Sequence, residues 1–274
     1  MRICLLFLYC LIASNIFPQD TSGSAAQAPE GPYVEHEEKQ FHFYPGGKMQ
    51  VLSEVPGDVR IIGWKNATVR VEAEKLVYSL PPEKAKAVME KYPLHVRYNQ
   101  TSAKIQVEGT PRSGTMVEYN LTVYVPGDKT DIKTTISRGD VSVESVNGWI
   151  EVTTERGSLG ISSLSGYFSG STKDGDIRVE MSGKRWRGLE FGAVTRMGSI
   201  NLQLPPDYSA GLQLETLNGN VTVDYPPGIV DGEPVPLSVG VRKKAQALDA
   251  SVGEGGPPVR LISHLGDIRL SMKE

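Results

Sequence analysis

Cysteine is almost missing from this chain of 274 residues. There are two, Cys4 and Cys10, both within the first ten positions. With no thiol beyond residue 10 there is no disulfide framework, and the fold must stand on buried apolar surface. Histidine is scarce as well: His36, His42, His95 and His264 are too scattered to form the closely spaced ligand pairs of a zinc site. Positive charge is not in excess. Lys and Arg number 29 against 32 Asp and Glu, for a net charge of −3, which removes the electrostatic footprint of a nucleic-acid-binding protein. No G-x-S-x-G elbow and no phosphate-cradling glycine loop occurs. Beyond residue 17 no apolar run is long enough to cross a bilayer.

The one apolar run is at the start. Ile3 to Phe17 follows Arg2 and is broken only by Ser14 and Asn15. Residues 1–19 therefore read as a secretory signal, with cleavage at Gln19 or as far on as Ala28, the alternative being a retained anchor. A lipid anchor on Cys10 is disfavoured, because Tyr9 stands where a small residue is needed. Residues 20–40 are polar, with Glu35, Glu37 and Glu38, and read as a linker.

From Phe41 the apolar residues alternate with polar ones, as half-buried strands require. Residues 41–130 read as an N-terminal β region holding one short helix at 83–92. That helix is bounded by Pro81-Pro82 and Pro93, with Glu83 in its first turn. Residues 131–274 carry a repeat. Gly139, Gly148, Gly157, Gly166 and Gly175 are nine apart, and each is followed two and four places later by apolar residues such as Val141 and Val143 or Ile150 and Val152. Gly170 alone breaks the pattern. Gly57, Gly198, Gly219 and Gly266 lead the same unit at wider spacing.

The residue after each glycine alternates between small polar and aromatic: Asp140, Trp149, Ser158, Tyr167, Asp176. The period is therefore eighteen, with two strands per turn of the chain. This predicts an all-β, β-solenoid-like stack of parallel strands about 4.8 Å per coil. A stretch at 224–264, rich in proline, reads as an irregular insertion with one strand at Leu237–Val241.

These patterns resemble the putative-adhesin family of exported bacterial β-strand-repeat proteins. The resemblance runs from about Phe41 to the C-terminus. It is carried by Gly57-Asp58-Val59-Arg60-Ile61-Ile62-Gly63-Trp64, Thr135-Ile136-Ser137-Arg138-Gly139-Asp140-Val141, Thr216-Leu217-Asn218-Gly219-Asn220-Val221 and Gly266-Asp267-Ile268-Arg269-Leu270. It implies a solenoid-like fold at the cell surface or in the envelope and no known catalytic residues.

The residues give no catalytic, cofactor or metal site. Asp140 and Asp176 share a column, but Asp beside Gly is ordinary turn chemistry. A calcium roll needs a second glycine and a second aspartate that this repeat lacks. Arg138-Gly139-Asp140 is a tripeptide that a repeat rich in Gly-Asp produces by chance. The residues that invite a ligand are Trp149 and Tyr167, eighteen apart and pointing outward, with faces suited to sugar rings or a protein. Arg185, Trp186 and Arg187, in a longer loop, pair cations with an aromatic. The sequence thus predicts a non-enzymatic binding or scaffold module of the envelope, whose partner is a glycan or another envelope protein. Two alternatives stand beside it: an accessory protein in envelope stress sensing, and a carbohydrate-active enzyme on the same scaffold.

Overall fold

The computed structural model describes residues 31–111, 116–226, 228–237 and 244–273; the expected signal at 1–19 and residues 20–30 of the expected linker lie outside them, whereas 33–40, expected as linker, instead form most of the first strand, paired along its whole length. The described residues are nearly all β, with a single helix. The chain opens with β1 (Tyr33–His42), β2 (Lys48–Ser53), β3 (Val59–Trp64) and β4 (Thr68–Val77), then α1 (Pro82–Met89), β5 (Leu94–Tyr98), β6 (Ser102–Val107) and β7 (Val117–Pro126). Its middle alternates long and short strands: β8 (Asp131–Arg138), β9 (Val141–Glu144), β10 (Asn147–Arg156), β11 (Leu159–Ser162), β12 (Ser165–Asp174), β13 (Ile177–Glu180), β14 (Gly188–Met197) and β15 (Ile200–Leu204). It finishes with β16 (Ala210–Thr216), β17 (Val221–Asp224), β18 (Val230–Asp231), β19 (Val235–Leu237), β20 (Ala245–Val252), β21 (Pro258–Leu265) and β22 (Ile268–Met272).

These strands form two open sheets. The first is ordered β1-β4-β7-β3-β9-β11-β13-β15-β22-β17, and the second β18-β20-β16-β21-β14-β12-β10-β8-β2-β6-β5 with β19 also on β20. From β7 to β17 in the first, and from β6 to β16 in the second, every pairing is parallel. The expected phase is present in the register: Ile132 lies beside Ile150, and Ile150 beside Phe168. The two ladders run in step through eight levels, each level one strand of the second sheet followed in the chain by one of the first.

The glycine columns explain that phase. Gly139, Gly157 and Gly175 stand above one another where the chain turns from the second sheet to the first, and Gly148 and Gly166 do so at the return. At Gly157 (φ +143°) a β-carbon would collide with the carbonyl oxygen of Gly139 below it, so neither conformation nor space admits a side chain. Each corner is then pinned to the next level. The Thr172 hydroxyl donates to the Gly157 carbonyl (2.8 Å), as Thr195 does to Gly175, Ser263 to Gly198 and Thr216 to Gly266. These hydroxyls are buried and would be costly to leave unpaired.

Gly170, the break in the apolar pattern, has a packing reason. A β-carbon there would lie 2.7 Å from the Phe168 ring, which folds across the glycine and stacks on Phe191 (centroids 4.8 Å apart). A large residue and an absent one share a single core position.

The ends depart from the expected regular coil. β1 and β4 extend the first sheet antiparallel, β5 does so for the second, and β18, β19 and β20 close the far end antiparallel. α1 covers the inner face past the first level, burying Ala85 and Met89 against β4 and β1, and the Tyr119 hydroxyl donates to the carbonyl of Tyr92 behind it. Tyr98 of the edge strand β5 stacks on Phe41 of the other sheet's edge (4.0 Å), bridging the two. The 224–264 stretch is more regular than expected. It holds β18, β19, β20 and most of β21, because Leu248, Ala250, Val252, Val259 and Leu261 supply a buried face despite the prolines. The strand expected at Leu237–Val241 falls largely on residues outside those described.

Candidate binding face

The parallel register places Trp149 of β10 directly beside Tyr167 of β12 on the outer face of the second sheet. Their rings stack with centroids 3.9 Å apart and planes 20° from parallel. Trp149 is 45% exposed. The indole is held in place: its Nε1–H donates to Glu151 Oε1 (3.0 Å), and its backbone N–H to Asp131 Oδ1 (3.0 Å). The indole N–H and then Lys133, ion-paired at 3.0 Å, hold the Glu151 carboxyl below the usual glutamate range. One face of each ring is therefore turned against the other, so only the outer face and the edge of each remain for a ligand.

Next to the aromatic pair stands an exposed apolar residue that sequence reasoning missed. Opposite Gly166 and Tyr167, β14 carries one extra residue, a bulge that throws Leu189 outward at 76% exposure. The available signal was Gly188, which takes the corner above Gly166 at a spacing of 22, so that Glu190 pairs with Tyr167 and Leu189 is the extra residue between them. Beside this strip lies a floor of small side chains, Thr153, Ser169, Ser171 and Gly192. The Ser171 hydroxyl donates to Thr153 Oγ1 (3.3 Å).

The loop between β13 and β14 separates the remaining three residues. Arg187 is exposed at the edge of the strip, where its carbonyl accepts the N–H of Gly166, whereas Arg185, also exposed, bridges to Ser209 just ahead of β16. Trp186 is not on the surface. It is 3% exposed and packs edge-on to Phe191 (5.2 Å, 80°), a plug that anchors the loop. The expected pairing of exposed cations with an exposed indole is thus corrected: the indole fills a space beside Phe191 while the two arginines on either side face out.

Elsewhere the polar columns have structural work. Asp140 Oδ1 accepts the Ser158 N–H (2.7 Å), Asp176 that of Ser199 (2.7 Å) and Asp267 that of Asn220 (2.8 Å). Each carboxylate ties one level to the next, including the one in the Arg138-Gly139-Asp140 corner. Among the described residues no three His, Asp or Glu side chains converge on a metal-sized site, and no helix is long and apolar enough to cross a membrane.

No protein-family model and no curated protein matches the chain. It is similar to solved structures. A putative cell adhesion protein from Clostridium sporogenes matches at 12% identity and a TM-score of 0.41, covering 87% of this chain and all of that one. A putative adhesin from Bacteroides fragilis matches at 10% identity and 0.39, covering 86% and 97%. A putative lipid binding protein from Parabacteroides distasonis matches at 12% identity and 0.25, covering 87% and 97%.

Proposed function

We propose that this chain is a non-enzymatic, adhesin-like binding module exported to the cell envelope, a β-solenoid-like stack that meets a protein partner through Trp149, Tyr167 and Leu189. The observation that carries the reading is the stacked pair of exposed Trp149 and half-buried Tyr167, with exposed Leu189 in the bulge of the neighbouring strand. Three apolar side chains on a ladder are ready to be covered, and a polar surround of Glu151, Glu190 and Arg187 supplies a rim. The exposed aliphatic Leu189 beside the pair favours a protein over a glycan on this face.

The test is a parallel binding screen of envelope proteins and envelope polysaccharides on the purified protein and on Trp149→Ala/Tyr167→Ala. The expected result is a protein partner whose affinity falls at least tenfold in the double variant, with Leu189→Asp weakening it further. A partner bound equally by both proteins sinks the assignment of this face. A polysaccharide lost only in the double variant replaces the protein partner with a glycan.

A further inference from the structure

The outer face of the first sheet carries a feature that the aromatic strip does not explain. Its central row runs Arg60, Ser142, Gly160, Arg178 on four neighbouring strands, β3, β9, β11 and β13. Two arginines thus stand about 14 Å apart, three strand spacings, with only a hydroxymethyl and a hydrogen between them. The result is an open trough of about 530 Å³ bordered by Asp140 and Asp176, joined across Gly160 to a second depression of about 330 Å³ bordered by Glu144 and Glu180.

Gly160 differs from the corner glycines. Its φ is not positive, and a β-carbon there would meet nothing closer than the Ser142 β-carbon at 3.7 Å, an ordinary contact. Neither the turn geometry nor the packing calls for glycine. In a strand it sacrifices stability, and what it provides is an exposed peptide floor between two rims. Arg178 adds a second sign. Whereas Arg60 holds Glu144 at 3.5 Å, Arg178 forms no ion pair among the described residues.

We infer that this trough is a second binding site, separate from the aromatic strip, for a neutral oligosaccharide lying along the stack. The chemistry of the rim selects the class. Asp140 and Asp176 each commit one oxygen to an amide of the next level and keep the other free to accept, Arg178 donates, and Ser142 does either. Vicinal hydroxyls use such a mixture. Five carboxylates (Asp58, Asp140, Glu144, Asp176, Glu180) against two guanidiniums border the two depressions, and this acidic balance repels a polyanion.

The experiment is a titration of the isotope-labelled protein with cellohexaose, maltohexaose and chitohexaose, followed by backbone amide shifts. At least one is expected to move the amides of Ser142, Gly160 and Arg178 saturably. Gly160→Gln, which fills the floor, should weaken that binding at least tenfold while leaving the thermal midpoint unchanged or higher. Arg178→Gln should weaken it without touching the floor. Trp149→Ala/Tyr167→Ala should leave it unchanged, so failure of the protein-binding strip and failure of the trough are read separately. Three hexaoses that move none of these amides overturn the site, as does binding indifferent to Gly160→Gln. Tighter binding of polygalacturonate than of any neutral hexaose overturns the assignment of ligand class.

Discussion

A methyl group added at Gly157 and one added at Gly160 differ only by three residues, yet they should act in opposite directions. At Gly157 the methyl meets the carbonyl oxygen of Gly139 at a positive φ, so Gly157→Ala should cost about 2–4 kcal/mol in a denaturant titration. At Gly160 the space is open, and Gly160→Ala should stabilise by roughly 0.5–1 kcal/mol. The hydroxyl pins give a second contrast. Thr172→Val keeps the shape but leaves the Gly157 carbonyl without its buried donor, which should cost about 1–2 kcal/mol; Thr172→Ser should recover most of it. The Glu37 carboxyl shows the acid limb. Burial alone would raise its pKa, but Lys75, at 2.6 Å, and Lys39 outweigh that and hold it below the usual range. A depressed carboxyl contributes stability that is whole above its unfolded value of roughly 4.3 and is lost as pH falls through the lower folded value. Lys75→Met should therefore flatten the decline of the melting temperature below that pH while lowering the plateau above it.

At the scale of the element, the loop before β14 joins the core to the surface. Trp186 plugs it and Leu189 faces outward three residues later. Trp186→Ala should cost about 3–5 kcal/mol by opening a cavity beside Phe191, whereas Leu189→Asp should leave the melt unchanged and act only on the partner. This loop also marks where sequence reasoning stops. The eighteen-residue phase was legible because small backbone-facing residues repeat whenever parallel strands stack, and it placed Trp149 beside Tyr167. What it missed depended on insertion. Gly188 lies off the period, so the bulge at Leu189 was hidden, and the inward turn of Trp186 follows from a cavity that only the packed neighbours define. The trough was equally hidden, since a glycine required by a turn and one required by nothing look the same in a sequence.

For the whole molecule, the order in which the chain visits the eight levels is the informative feature. β2 and β3 form the second level, the chain then runs out to the first with β6 and β7, and returns to build the third with β8 and β9. The far end mirrors this: β16 and β17 make the eighth level, and β21 and β22 come back to fill the seventh, between β14–β15 and β16–β17. The final level is interior, paired on both sides. Removal of residues 258–273 should therefore not shorten the stack by one unit but detach β16, β17 and β20 with it. Limited proteolysis of that truncation should cut within 210–224 and 245–252, while the intact protein resists at those strands; resistance in both would refute the interlocked order.

Mechanical load is where this order tells. A surface protein held at one end and bound at the other is pulled, and strands at a sheet edge peel away one hydrogen bond at a time. β1 is such an edge, paired on one side only. β22 is not: it lies between β15 and β17, so tension applied through the C-terminal segment must slide two ladders at once before anything yields. Under such a load β22 is the strand that resists and β1 the one that peels.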